Sequence, residues 1–395
     1  MQITSFALLA QFHNLLQTEL FPTIESLVDT LSKPARLLVS VVSMTPLQRW
    51  VGDRPCSTGR IPADRVCIAT AFLAKAIYNM TTTRQVLVRL QTDTQLRRLC
   101  GWDNAGQVPS EATFSRAFAE FASSKVFERM HAELVRNSLQ GQEFDYLSRD
   151  STAIESRQLL TGEKPKPEAP VETSAAPQKN KTEKKKQKKK TGPKGPHKRA
   201  KACERGKRLE RQRYMNLKQM IEDLPTACDW GAKRNSQGND EYWGGYKVHW
   251  DVVCSGRFRR IPVSCLITSA SVHDSQVALP LMTISAERVR WKCDLMDSAY
   301  DAKIIRQQCA KRGHEAIIKP IKRKRNKPIP GADELTAEEK ERFKRRTVVE
   351  QMNARLKDEF GGRIIYVRGA AKVMTHLMFG IVALTVDQLL LQRTG

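Results

Sequence analysis

FKRRTVVEQMNARLKDEF, residues 343–360, is the stretch on which the reading of this chain turns. It is rich in Arg, Lys, Glu, Gln, Leu and Met and has no Gly or Pro, which is helix composition. At roughly 100° per residue, Phe343, Arg346, Glu350, Asn353 and Lys357 fall on one face within an arc of about 80°. That face carries a carboxylate with one cation about a turn before it and another about two turns after it. Alone, it is what a solvated helix with i,i+4 charge pairs offers, at about 0.2–0.5 kcal/mol per pair. Two aspartates elsewhere give it meaning.

The first follows FDYLSR (144–149), where Phe144, Tyr146 and Leu147 predict a strand that ends at Asp150. An aspartate at a strand end is often only a turn residue or a cap. Residues 241–268 alternate as two strands, YWGGYKVHWDVV and RFRRIPVSCLITS, turning at Ser255–Gly256. DSQVALPLMTI reads as a helix begun near His273 and Asp274, with His273 structural. KCDLMDS is the next strand, ending at Asp297, followed by a helix stopped at Gly313 and the short strand EAIIKP. The order predicts an α/β fold, a mixed sheet flanked by helices, in which two strand ends can approach the Glu350 face. Three carboxylates meeting there could hold two divalent cations roughly 3.5–4 Å apart, an arrangement that serves phosphodiester chemistry. All-oxygen ligands suit Mg²⁺ or Mn²⁺ better than zinc. Arg346 and Lys357 would then neutralise nearby phosphates.

Residues 1–140 read as an all-helical N-terminal domain, with apolar residues at helical spacing through RVCIATAFLAKAIYNM and TRQVLVRLQTDTQLRRL. GWDNAGQVPSEATFSRAFAEF is a turn and a new helix, with Ser110 as N-cap. That helix presents Thr113, Ser115 and Arg116, either as the reading helix of a helix-turn-helix or as half of a plain hairpin. From about 160 to 215 the chain turns Pro-rich and then Lys-rich, too poor in apolar residues to offset chain entropy, and is expected to be disordered. Between Lys179 and Arg213 stand seventeen Lys or Arg against three Glu, the make-up of a sequence-independent phosphate-binding arm or a solubilising linker.

The formal net charge of +25 over 395 residues attracts polyanions, nucleic acid foremost. Nine cysteines without C-x2-C or C-x4-C spacing argue against zinc and for buried thiols in a reducing interior. MQITSFALLAQF lacks the basic start of a signal peptide. VMTHLMFGIVALTVDQLLL is the most apolar run, but His376, Asp387 and Gln388 make it a buried core helix rather than a span, so no membrane is expected. Trp243, Trp250 and Trp291 are assigned to packing.

Taken together, these motifs resemble the bacterial insertion-sequence transposases that carry a DDE ribonuclease H-like catalytic domain. A Y-x2-R-x3-E-x6-K signature surrounds the catalytic glutamate in one large group of that family; here it reads Phe343, Arg346, Glu350 and Lys357, with Phe in place of Tyr. DSTAI at Asp150, MDSAYDA at Asp297, GYKVHWDVV, ASVHDSQ and VPSEATFSRAF are also similar to family segments, and the resemblance spans about residues 45–392. It implies a ribonuclease H-like catalytic domain over 141–395, interrupted by the basic insertion, and the helical domain as a DNA-binding or assembly unit. It further implies a catalytic and metal-binding triad of Asp150, Asp297 and Glu350 with two Mg²⁺ or Mn²⁺ ions. Arg346, Asn353, Lys357 and Arg116 are the expected DNA contacts. The expected partners are double-stranded DNA, as terminal inverted repeats and target, and further copies of the chain in a synaptic complex in the bacterial cytoplasm at the nucleoid. A domesticated DNA-binding transposase and a structure-specific nuclease are the alternatives.

Overall fold

The computed structural model describes residues 5–52, 62–158, 160, 204, 206–234, 237, 239–321 and 334–391. Most of the basic insertion expected to be disordered therefore lies outside the described residues, as do Cys56 and Cys203, but its last part is ordered: residues 206–212 are helical, with Leu209 and Gln212 buried and Arg208 and Arg211 paired with Asp223.

Seven strands form one sheet: β1 (Glu143–Ser156), β2 (Asp229–Arg234), β3 (Asp240–Val253), β4 (Pro262–Ser269), β5 (Arg290–Met296), β6 (Glu315–Ile318) and β7 (Ile364–Ile365). Across its centre the order is β4-β3-β1-β5-β6, with β3 antiparallel to β1 and β4, and β1, β5 and β6 parallel. This is a ribonuclease H-like mixed sheet. β2 pairs with the outer end of β3, and β7 with the far end of β1. β1 does not end at Asp150. It runs on to Ser156, because Ser151–Glu155 find backbone partners in His249–Gly245 and the β-branched Thr152 and Ile154 alternate inward. Asp150 therefore sits mid-strand, opposite Trp250.

The principal helices are α1 (Lys33–Met44), α2 (Arg65–Ile77), α3 (Thr83–Thr92), α4 (Glu111–Ser124), α5 (Val126–Leu139), α6 (Ala278–Ala286), α7 (Lys303–Lys311), α8 (Thr347–Asp358) and α9 (Ala370–Leu391). The region before β1 is helical, as its periodicity predicts. Asp64 caps α2 and Thr82 with Gln85 forms a capping box on α3. Ser110 does precede α4, but its hydroxyl meets Thr113 Oγ1 rather than a backbone N–H. The expected helix over 343–360 is broken: an α-helix ends at Phe343, a 3₁₀ turn covers Lys344–Arg346, and α8 begins at Thr347. Phe343 packs with Tyr146 and Leu335 over Cys293, Leu295 and Ile317.

α8 and α9 cover the sheet face that carries Asp150 and Trp250, with Cys265 of β4 against Met378 of α9. α6 packs on the opposite face, where Ser285 meets Ser264 of β4. α9 is long and apolar enough to cross a membrane by length and composition, yet it is buried. It packs on α1, α2, α4 and α5 as well as on β4 and α8. Phe379 lies at its middle among Phe72, Phe118 and Phe127, at ring-centroid distances of 5.4, 6.2 and 4.1 Å. One continuous hydrophobic core thus joins the N-terminal helices to the sheet. Polar ties cross the same junction. Asn79 donates to the Asp358 carbonyl at 2.8 Å, and buried Lys75 meets His376 Nδ1 at 3.3 Å while His376 Nε2 meets the Gly361 carbonyl at 3.0 Å. The Asn79 bond holds the C-terminal end of α8, and His376 links α2 to the turn just after it. The three tryptophans are buried, and so are the described cysteines apart from half-buried Cys67.

Candidate active site

Pairing of Arg149 with Met296 sets the end of β5 beside the middle of β1, so Asp297 lies alongside Asp150. Asp297 caps the 3₁₀ turn Ser298–Tyr300, its Oδ1 accepting from the Ala299 N–H at 2.9 Å. Glu350 stands in the first turn of α8, which crosses β1, with its side chain more than half exposed.

Arg346, at the end of the 3₁₀ turn, joins two of these carboxylates. Its Nη2 donates to Asp150 Oδ1 at 2.8 Å and its Nη1 to Glu350 Oε1 at 2.6 Å. Asn353 Nδ2 donates to the other Asp150 oxygen at 2.8 Å, and its own Oδ1 accepts from Trp250 Nε1 at 2.9 Å. An indole can only donate, so Trp250 fixes the amide orientation and aims the NH₂ at Asp150. Both Asp150 oxygens are therefore held by α8 and the turn before it.

Burial pushes the Asp150 carboxyl up to about 6; the Arg346 guanidinium pulls it down and the neighbouring Asp297 pushes it up. Asp297 is also raised by burial, with Arg346 opposing and Asp274 reinforcing. Two aspartates thus share a poorly solvated pocket that favours an added cation. Among the described residues, no three His, Cys, Asp or Glu side chains stand close enough together to hold a metal ion. The cation between Asp150 and Glu350 is a guanidinium. The donor set remains one of hard carboxylate oxygens, which suits Mg²⁺ or Mn²⁺, and Arg346 stands in for positive charge there.

Lys357 lies two turns beyond Glu350 and is partly buried; burial, then nearby Lys233 and Arg363, pull its ammonium below the ordinary lysine range. Arg116 is exposed on α4 and donates to Thr113 of its own helix at 3.2 Å. The structure therefore unites Asp150, Glu350, Arg346 and Asn353 in direct contact, sets Asp297 beside them, places Lys357 further along α8, and leaves Arg116 on the helical region.

Sequence reasoning missed Lys247, Asp274 and Tyr300. Lys247 donates to Asp274 Oδ1 at 3.0 Å, on the sheet face opposite Asp150, and Lys247 and Asp274 act electrostatically on Asp297. The available signals were GYKVH and HDSQ, which read only as strand and helix start.

The family described as "Transposase DDE domain" matches residues 197–386, and the one described as "Transposase domain (DUF772)" matches 22–120. Asp297, Arg346, Glu350, Asn353 and Lys357 fall within the first match and Arg116 within the second, while Asp150 lies between them. Neither the curated proteins nor the solved structures contain a match to the chain. DDE transposases act on DNA and generally use divalent metal ions. With two transposase matches, a ribonuclease H-like sheet and a carboxylate-bearing helix laid across it, the chain belongs to the DDE transposases of insertion sequences.

Proposed function

We propose that this transposase cleaves the ends of its insertion sequence and joins the freed 3′-OH ends to target DNA. The supporting observation is the Arg346 guanidinium held between Asp150 and Glu350 with Asp297 alongside, a cluster of carboxylates organised around positive charge. In the first step water attacks the phosphorus at the transposon end, the P–O3′ bond breaks, and the 3′ oxygen takes a proton as the attacking water loses one. In the second step that 3′-OH attacks a target phosphodiester, and the target P–O3′ bond breaks with the same proton balance.

Asp150, Asp297 and Glu350 would hold two Mg²⁺ or Mn²⁺ ions, whose chemistry when bound is to activate the attacking oxygen and stabilise the leaving one. The chain's own residues do the rest. Asn353, aimed by Trp250, keeps Asp150 in place, and Arg346 and Lys357 contact DNA phosphates. Residues 141–395 form the catalytic unit, and residues 1–140, including Arg116, serve end recognition and assembly of copies in a synaptic complex. The basic segment from Lys179 to Arg213 adds phosphate contacts without sequence preference.

An end-cleavage assay tests this. Alanine at Asp150, Asp297 or Glu350 should each abolish cutting of terminal inverted repeats in Mg²⁺ while leaving DNA binding largely intact. A variant that cuts at the wild-type rate removes its residue from the site. Deleting 179–213 should weaken binding to every duplex alike and flatten its salt dependence, because fewer counterions are released.

A further inference from the structure

Arg342, Lys344, Arg345 and Arg346 lead the chain into α8. All but one of them are paired with carboxylates. Arg342 holds Glu315 through two bonds, at 2.6 and 2.7 Å, Lys344 meets Glu341 at 2.5 Å, and Arg346 joins Asp150 to Glu350. Arg345 differs. It is exposed and has no carboxylate or hydrogen-bond partner among the described residues, and its guanidinium carbon lies over the Tyr146 ring, 5.1 Å from the centre. A cation–π contact takes no hydrogen bond, so the ring holds Arg345 in place while its N–H donors stay uncommitted. Part of the side-chain entropy that binding costs is thereby lost in advance.

Strand register sets this cation on the reacting side of the sheet. Tyr146 and Asp150 stand four residues apart on β1, so their side chains leave the same face, opposite to Arg149. Tyr146 pairs with Cys293 of β5, and Phe343 packs with Tyr146 over Cys293 and Leu295 on that face. Its neighbours there, Phe144 and Ser148, are buried, whereas the Tyr146 ring stays partly open beneath Arg345. Tyr146 precedes Asp150 by about 13 Å at roughly 3.3 Å per residue. Arg345 is thus the sequence neighbour of the residue that touches Asp150 and Glu350, with its own charge left unneutralised at the surface.

We propose that Arg345, seated on Tyr146, grips a DNA phosphate near the scissile one, on the side of Asp150 that faces the N-terminal end of β1, and that Tyr146 is its positioning residue. This rests on the transposase reading above. A separation of about 13 Å spans roughly four steps of 3.4 Å along one strand, which sets the reach of the contact. The planar guanidinium edge suits two non-bridging oxygens of one phosphate. Arg346 and Arg345 then divide the work: one meets the reacting carboxylates, the other pins the strand beside them.

The test measures binding of the full chain to transposon-end and target duplexes, with one neutral methylphosphonate stepped outward from the scissile position. Arg345→Gln should weaken binding about tenfold and lower its salt slope by about one, with melting temperature unchanged. Lys344→Gln, which removes the same charge from the neighbouring residue, should change both less. One methylphosphonate position should weaken the wild type yet leave Arg345→Gln unaffected. If that position lies in the end duplex the contact is to the transposon end, and if in the target duplex to the target; either supports the proposal. Tyr146→Phe, which keeps the ring, should bind as the wild type does. Tyr146→Leu should lose part of the affinity and add nothing in the Arg345→Gln background; if it does not fold, the exposed Arg345→Gln variant decides alone. Wild-type affinity and slope in Arg345→Gln would overturn the proposal, as would a methylphosphonate profile identical to that of the wild type. A wild type that binds these duplexes but never cuts them would instead overturn the transposase reading and leave the phosphate contact standing.

Discussion

Arg149 and Asp150 are neighbours on one strand and both are buried, yet they belong to opposite faces of the sheet and to different kinds of charge network. Behind the sheet, Arg149 Nη2 meets Asp251 Oδ2 at 2.8 Å and its Nη1 lies 3.5 Å from Asp294. Asp251 also accepts from Ser285 at 2.6 Å, and His314 stands 3.2 Å from Asp294. These groups come from β1, β3, β5, α6 and the approach to β6, all locked by sheet pairing or packing. In front, Asp150 is held by one arginine and one asparagine of a single helical segment, and the arginine's other partner, Glu350, is open to solvent. Charges whose partners cannot leave clamp strands together. Charges whose partners can be exchanged are available for chemistry.

The sharpest way to break the comparison is to remove one member from each face. Asp150→Ala should abolish end cleavage with little loss of melting temperature. Arg149→Ala should unbalance two buried aspartates and cost about 3–5 kcal/mol, read by denaturant unfolding. If Asp150→Ala unfolds and Arg149→Ala does not, the two networks have been assigned the wrong way round.

A smaller effect separates the exchangeable partner from the pocket. Arg346→Gln should bind Mn²⁺ on the order of tenfold more tightly without DNA, by calorimetric titration at pH 8, because guanidinium and metal compete for Asp150 and Glu350. Unchanged or weaker affinity would show that Arg346 does not stand in the way.

Stability against pH gives a third measure. The folded Asp150 pKa of about 6 lies above the ordinary 3.8, so the native state holds this proton more tightly than the unfolded chain. The resulting stabilisation is full below about 3.8 and is lost as pH rises through about 6. Asp150→Asn should therefore be more stable than wild type at pH 7.5, by up to about 2–3 kcal/mol, with the gap closing towards pH 4. A constant gap would mean that Asp150 is not the group that titrates. Smallest of all, Asn79→Ala should cost about 1 kcal/mol, the worth of the bond to the Asp358 carbonyl.

Much of the front face is legible in the chain itself. The 3.6-residue period puts Arg346, Glu350 and Asn353 together even though a 3₁₀ turn interrupts the helix, because the break falls just before Thr347 and shifts Arg346 little relative to α8. Alternation locates β1, β3, β4 and β5. Local pattern fails where register decides. Lys247 and Asp274 meet because β3 pairs with β1 at Ala153 and with β4 at Thr268, and neither pairing has a local signal. The run Asp229–Arg234 carries too few β-branched or apolar residues to stand out, and only pairing with Asp240–Gly245 makes it a strand.

The place of α9 sets an order on synthesis. The chain emerges with all three carboxylates and the Arg346 turn made before residues 370–391, yet Phe379 is the wedge on which Phe72, Phe118 and Phe127 close. His376 of the same helix ties Lys75 to the end of α8. While the ribosome still holds this helix, the N-terminal helices lack their central partner and α8 lacks its far anchor. A transcript cut short before codon 370 would therefore yield a sticky intermediate, and the helix that carries Glu350 gains its far anchor only once translation has passed the last turn of α9.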